Sequence, residues 1–222
     1  MVIRRIAPEP PARVRERTAL PEKRVDDAAM GPLEWSDPEL LRALAAQDPR
    51  AGVALYDRLI RVVEWTILRV VGERGTDHDD LIQSAFEQIV ISLYRQRYAR
   101  ECSLTSWASA ISCHIALNAL RARRRVRWLG SLHAQTELQP PARPDLEDQL
   151  AARQALERIR TELARMNGAR AEVLVLHEIN GLELAEIARV LGISVAAAQS
   201  RLVRGRRELL QRLEPSGEGE AK

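Results

Sequence analysis

A chain of 222 residues, 45% apolar and 4% aromatic, is long enough for one large or two small globular domains. Two cysteines, Cys102 and Cys113, with no CxxC pair argue against a disulfide-stapled secreted scaffold. With no run of about 18 apolar residues, a soluble, cytoplasmic protein without membrane insertion is expected. Formal charge is only +3, but the arginines are clustered, and a local cluster says more about partners than the total does.

Residues 1–35, with "PEPPARVRERTALPEKR" at their centre, carry Pro8, Pro10, Pro11, Pro21 and Pro32 and little apolar content, the composition of a disordered arm. Organised sequence begins just after Met30, which makes Met30 an alternative start to Met1. From Ser36 the pattern becomes helical: "SDPELLRALAAQ" has an N-cap serine, Pro38 in the first turn and acids ahead of an apolar stripe. A longer helix enters at Pro49 and ends at Gly72 and Gly75. A third, capped by Thr76 or Asp77, runs through "DHDDLIQSAFEQIVISLY", and a fourth through "SLTSWASAISCHIALNALRARRRVR".

Pro140, Pro141 and Pro144 then break the pattern, so residues 129–144 read as a flexible linker. Helical periodicity resumes from about Asp145 to Arg165, again from Ala169 to Glu178, and in the stretch "GLELAEIARVLGISVAAAQSRLVRGRREL". The fold class expected is all-α: two small helical domains, 36–128 and 145–213, joined by the linker and followed by a tail, 214–222.

The last stretch reads as a helix-turn-helix. Leu184, Ile187, Ala188 and Leu191 repeat at helical spacing over Leu182 to Val190, Gly192 supplies the left-handed stop, Ile193 plugs the turn and Ser194 caps the next helix. At about 100° per residue, Val195, Ala198, Leu202, Gly205 and Leu209 point inward. Ala196, Gln199, Ser200, Val203, Arg204 and Arg207 lie roughly opposite. Small residues admit a helix deeply into the major groove, Gln, Ser and Arg reach base edges, and arginines neutralise phosphates.

This stretch resembles the C-terminal helix-turn-helix of two families, the LuxR-type regulators and the extracytoplasmic-function (ECF) group of the sigma-70 family. The residues shared with the ECF pattern include Gly181, Leu182, Ile187, Gly192, Ser200, Arg201, Arg204 and Arg207. The upstream half decides between the two. "DHDDLIQSAFEQIV" is similar to the ECF "DAEDLVQEVFLRAW", and "LTSWASAISCHIALNALRARRR" to "FRAWLYRIARNLALDRLRRRRR". The resemblance spans about Ser36 to Leu213. This chain departs from the pattern at His114, Asn118, Cys113, Ala108, Ala197 and Gln199.

The resemblance implies a sigma factor that binds core RNA polymerase, directs it to promoters and assists melting. The alternative is a LuxR-like regulator acting without core polymerase. It further implies that 36–128 binds core polymerase and the −10 element, and that 145–213 binds the −35 element through Ala196, Gln199, Ser200, Arg201, Val203, Arg204 and Arg207. His114, Asn118, Arg121, Arg124 and Arg125 are the −10 and melting candidates. The loop Tyr98 to Ser103 resembles one that captures a flipped base, while Trp107 reads as core. Asp77, Asp80, Leu81, Gln83, Ser84 and Gln88 form the face offered to the coiled coil on the β′ clamp, opposite a core face of Ile82, Phe86, Ile89, Val90 and Leu93. The polymerase β flap and an anti-sigma factor are further implied partners, and the linker is expected to thread toward the polymerase active cleft.

Cys113 and His114 diverge by about 100° on one helix, and Cys102, His78, His133 and His177 lie in separate segments, so no metal site is expected. Without a Walker A motif, a GxSxG or a convincing pair of catalytic carboxylates, neither enzyme activity nor a cofactor is expected.

Overall fold

The computed structural model describes residues 35–72, 75, 77–130 and 144–214. The expected arm as far as residue 34, the Met30 start, a cap at Thr76, linker positions 131–143 and tail positions 215–222 lie outside the described residues, whereas Trp35, placed at the end of the arm, packs against the core. Eight helices follow in order: α1 Asp37–Ala45, α2 Pro49–Val71, α3 His78–Tyr94, α4 Leu104–Gly130, α5 Pro144–Arg165, α6 Gly168–Glu178, α7 Leu184–Leu191 and α8 Val195–Leu213. No strand occurs among the described residues.

Local chemistry sets the boundaries. Before α1, the Ser36 backbone N–H and hydroxyl both donate to the Glu39 carboxylate, at 2.8 and 2.6 Å. Asp48 caps α2 by accepting from the Arg50 backbone N–H at 2.9 Å. Hydrogen bonds from the Arg50 side chain and backbone hold its carboxyl down to about 2. Gly72, at φ 103°, stops α2. Asn167 caps α6 through Ala169. The helix expected from Leu182 begins two residues later, because Gly181 turns at φ 69° and the Leu182 N–H returns to the Leu176 carbonyl at 3.0 Å.

α4 is the central helix. It packs on α2 and α3 along one flank and on α5, α6 and α7 along the other. Its middle is lined with small residues, Ala108, Ser109, Ser112, Cys113 and Ala116, all buried, which let neighbours approach from both sides. The Ser109 and Ser112 hydroxyls donate to carbonyls one turn back, Thr105 and Ala108, at 3.0 and 2.8 Å, so their burial leaves no orphan donor. Asp37 ties α1 to this helix by accepting from the Leu104 N–H at 2.9 Å. Leu59, Ile67, Ile89, Leu117, Leu176 and Ile187 are fully buried, each contributing roughly 1.5–3 kcal/mol by removal from water.

Two residues placed in the core by periodicity lie at the surface instead. Val90 is 37% exposed and Val195 48%. On α3 the buried face is Ala85, Ile89 and Ser92, rotated from the expected one, so Val90 falls on its flank. Val195 is the first residue of α8, whose buried face begins at Ala198.

Candidate nucleic-acid interface

The α7–turn–α8 unit is built as its residues dictate. Gly192 adopts φ 62° and ψ 38°, the left-handed conformation that glycine tolerates without a Cβ penalty. The Ile193 N–H then returns to the Ala188 carbonyl at 2.9 Å, and the Ser194 hydroxyl accepts from Ala197 N–H at 3.1 Å. Ala198, Leu202 and Gly205 form the buried face of α8. Arg170 of α6 pairs with Glu208 of α8 at 2.8 Å and fixes the helix in azimuth.

With that face turned in, Ala196, Gln199, Val203, Arg204 and Arg207 are exposed together, and Ser200 and Arg201 are half-buried at the edge. Arg206 is bound to Glu178 at 2.5 Å on the α6 side. The outward arginines are therefore Arg204 and Arg207, one helical turn apart, beyond a patch of small and amide side chains. That is the arrangement a groove-reading helix requires.

A second basic surface lies on α4. His114, Asn118, Arg124 and Arg125 are exposed, and Arg121 is half-buried with Nη1 donating to Asn118 Oδ1 at 3.0 Å. Arg123 differs from its neighbours, because Asp77 binds it through two hydrogen bonds of 3.2 and 2.5 Å. Cys113 is buried while His114 beside it faces out. His114 Nδ1 stands 3.9 Å from the Glu172 carboxylate of α6. Burial pushes the Glu172 carboxyl above its ordinary value, against the pull of His114, Arg201 and Arg121. Trp107, expected in the core, is half-buried: it stacks at 5.0 Å on Tyr98 and, with Ile111 and Ile115, lines a cavity of about 590 Å³ that Glu172 and Val190 close on the far side.

The six α3 candidates divide among several surroundings. Asp77 is engaged with Arg123. Asp80 is exposed and Leu81 half-buried against the core. Ser84 and Gln88 border the α3–α4–α6 cavity. Gln83 borders a groove of about 1320 Å³ between α1, α2 and α3, lined by Tyr56, Phe86, Val90 and Tyr94. Tyr56 and Phe86 stack at 4.8 Å, and Tyr94 is 75% exposed. Of these four, Phe86 and Val90 had been read as core and Tyr56 and Tyr94 were missed, although Tyr94 after a run of helical apolar residues was a usable signal. Among the described residues no three His, Cys, Asp or Glu side chains gather as a metal site, and no helix is long and apolar enough to cross a membrane.

A helix-turn-helix with an arginine-bearing outer face, set on a helical unit with its own basic helix, defines an all-α DNA-binding protein. Residues 55–126 match Sigma-70 region 2, and residues 156–209 match Sigma-70, region 4. The chain is 31% identical to the RNA polymerase sigma factor CarQ of Myxococcus xanthus over 163 residues, 72% of this chain and 89% of that one. It is 27% identical to the ECF RNA polymerase sigma factor SigC of Mycobacterium tuberculosis over 81% of this chain and 95% of that one. It is 28% identical to the RNA polymerase sigma factor CnrH of Cupriavidus metallidurans over 80% of this chain and 96% of that one. The solved structure of CnrH in complex with the cytosolic domain of CnrY aligns with a TM-score of 0.49 at 25% identity, covering 78% of this chain and 94% of that one.

The chain belongs to the ECF group of the sigma-70 family. It is a transcription-initiation factor that binds core RNA polymerase and directs it to promoters. The match to region 2 upstream of the helix-turn-helix sets aside a LuxR-like regulator acting without core polymerase.

Proposed function

We propose the following division of labour within this sigma factor. Residues 36–128 act as sigma domain two and 145–213 as sigma domain four. α8 reads the −35 element, with Gln199, Ser200 and Arg204 at base edges and Ala196, Arg201, Val203 and Arg207 completing the contact. On α4, His114 and Asn118 meet the −10 element, while Arg121, Arg124 and Arg125 meet backbone phosphates. α3 receives the β′ clamp coiled coil through Asp80, Leu81, Gln83, Ser84 and Gln88, with Asp77 at its start. The groove beside Gln83 extends that surface, because exposed Tyr56, Val90 and Tyr94 offer a partner helix an apolar seat.

The observation that carries the −35 assignment is the shared exposure of Gln199, Arg204 and Arg207 on a helix whose opposite face is buried. The chain supplies positioning and electrostatics, and the polymerase supplies the catalytic chemistry. It works in the cytoplasm. CnrH is held by the cytosolic domain of CnrY, and an anti-sigma factor is the corresponding partner here. The test is run-off transcription from genomic fragments with reconstituted holoenzyme. Transcripts starting downstream of a shared pair of elements are expected, and random start sites would overturn the proposal.

A further inference from the structure

The apolar contacts that hold α8 are small. Ala198, Leu202 and Gly205 form its buried face, and Leu202 is the one large side chain of the three; Leu209 adds a half-buried contact. Alanine and glycine let α6 come close but offer no knob that seats in a groove, so they set distance without setting roll. Base reading is sensitive to roll. Turning a helix of about 5–6 Å radius by about 10° carries an atom on its rim through about 1 Å. That is twice the roughly 0.5 Å within which a binding constellation must be held.

A chain of charges supplies the missing constraint. Arg170 Nη1 of α6 donates to Glu208 Oε2 at 2.8 Å, and Arg212 Nη2 donates to Glu208 Oε1 at 3.0 Å, so both carboxylate oxygens are taken. Arg212 Nη1 stands 3.8 Å from Glu162 Oε2 of α5, whose other oxygen accepts from Arg165 at 2.7 Å. Arg158 of α5 donates to the Leu213 carbonyl at 2.9 Å, at the end of α8. The Glu208 and Glu162 side chains are 16% and 12% exposed, which limits screening by solvent and salt. Burial works against the Glu208 charge, yet the Arg170 and Arg212 hydrogen bonds outweigh it and hold that carboxyl below its ordinary value. Arg170 stands in the first turn of α6, where a cation opposes the helix dipole. Its placement serves the α6–α8 junction rather than α6.

We propose that Arg170 and Glu208 are positioning residues for −35 specificity: engaged with each other rather than with DNA, they set the roll of α8 that aims Gln199, Ser200 and Arg204 at base edges. This rests on the reading of α8 as the −35 helix. Glu208 stands one turn beyond Arg204 on the same helix, so a constraint on the first is passed rigidly to the second. Losing the pair frees the roll, while Leu202 and the close approach at Gly205 keep the helix docked.

The test uses holoenzyme reconstituted with the full chain, a promoter fragment that it transcribes and the same fragment with a scrambled −35 element. Anisotropy titration gives the ratio of the two affinities, and the urea midpoint of the chain and its core affinity are read alongside. Arg170→Ala removes a positive charge and Glu208→Ala a negative one, so their direct electrostatic effects on DNA binding have opposite signs. Positioning gives them the same sign. Each is expected to lower the cognate-to-scrambled ratio at least about fivefold, the lower end of what one base contact supplies. The double variant lowers it no further than either single one, because the two act as a unit. Arg170→Lys keeps a charge in reach of Glu208 and recovers part of the ratio. Glu208→Gln, nearly the same in shape, replaces Glu208→Ala if that variant loses helicity. An unchanged ratio in both single variants, shifts of opposite sign, or additive losses overturn the proposal, as does a fall in urea midpoint or core affinity with the ratio intact. Arg204→Ala on the same fragments separates the two readings. If it lowers the ratio while the Arg170 and Glu208 variants are silent, only the positioning role falls. If it leaves the ratio unchanged, or the wild-type ratio is near one, the −35 assignment of α8 falls and the positioning role with it.

Discussion

Gly205 of α8 sits so close to Arg170 of α6 that a Cβ added there would stand 3.3 Å from the Arg170 carbonyl oxygen. The contact sets the distance between the reading helix and its support. Two effects oppose each other at this position. Alanine in place of glycine favours the helix by roughly 1 kcal/mol, but the neighbour is backbone and yields little. Gly205→Ala is therefore expected within about 1 kcal/mol of wild type, whereas Gly205→Val, which must push α6 away, costs about 1–3 kcal/mol. Urea denaturation of both variants measures this, and equal stability would mean that the α6–α8 contact is looser than described.

We propose that Arg204 reads a base edge while Arg207 clamps a phosphate. Arg204 lies one turn beyond Ser200, within reach of a base edge. Arg204→Ala is expected to cost roughly 1–3 kcal/mol on the cognate −35 element and to blur preference at one or two positions. Arg207→Ala should weaken cognate and scrambled duplexes alike and reduce the salt slope by about one unit. Anisotropy titrations at several salt concentrations read both. Equal losses from Arg204→Ala on the two duplexes would make it a second clamp.

The Asp77–Arg123 pair joins the start of α3 to α4, and the Arg123 hydrogen bonds hold the Asp77 carboxyl below its ordinary 3.8. The sign follows from the depressed value. The stabilisation is present above 3.8 and is lost as pH falls through the lower, folded-state value. Asp77→Asn should remove this part of the acid sensitivity while changing neutral-pH stability little, since the pair is partly exposed. Thermal melts from neutral to acid pH test it, and an unchanged acid limb would contradict it.

Tyr94 projects from the end of α3 at 75% exposure beside the apolar groove. Tyr94→Asp should leave the fold intact, because little is buried there, and should weaken core binding about tenfold or more if it anchors the partner helix. Leu81→Glu with Asp80→Arg should abolish core binding, though half-buried Leu81 makes a helicity check necessary. Wild-type core affinity in Tyr94→Asp would confine the clamp contact to the Leu81 side of α3.

Helix boundaries were legible where a few neighbouring residues decide them. Ser36, Gly192 and Ser194 act through bonds within four positions, so the sequence alone places them; the equally local Asp48 cap was passed over in favour of Pro49. The central role of α4 was not legible, because the Trp107, Ile111 and Ile115 stripe marks one packed side only, while the other buried positions are Ala, Ser and Cys, which periodicity does not flag. Val90 and Val195 show the opposite limit: periodicity marks an apolar side chain without saying whether the protein or a partner covers it. Glu172 went unnoticed as a neighbour of His114 because they lie on separate helices, and only the packing of α6 on α4 brings them within 3.9 Å.

The most direct measurement is the equilibrium affinity of the full chain for core RNA polymerase, followed by footprinting of the resulting complex on a promoter. Tight one-to-one binding is expected, with protection of both the −35 and −10 elements and permanganate reactivity at the −10 thymines. Protection of the −35 element by the chain alone, with no measurable binding to core, would contradict a sigma factor and leave a helix-turn-helix regulator in its place.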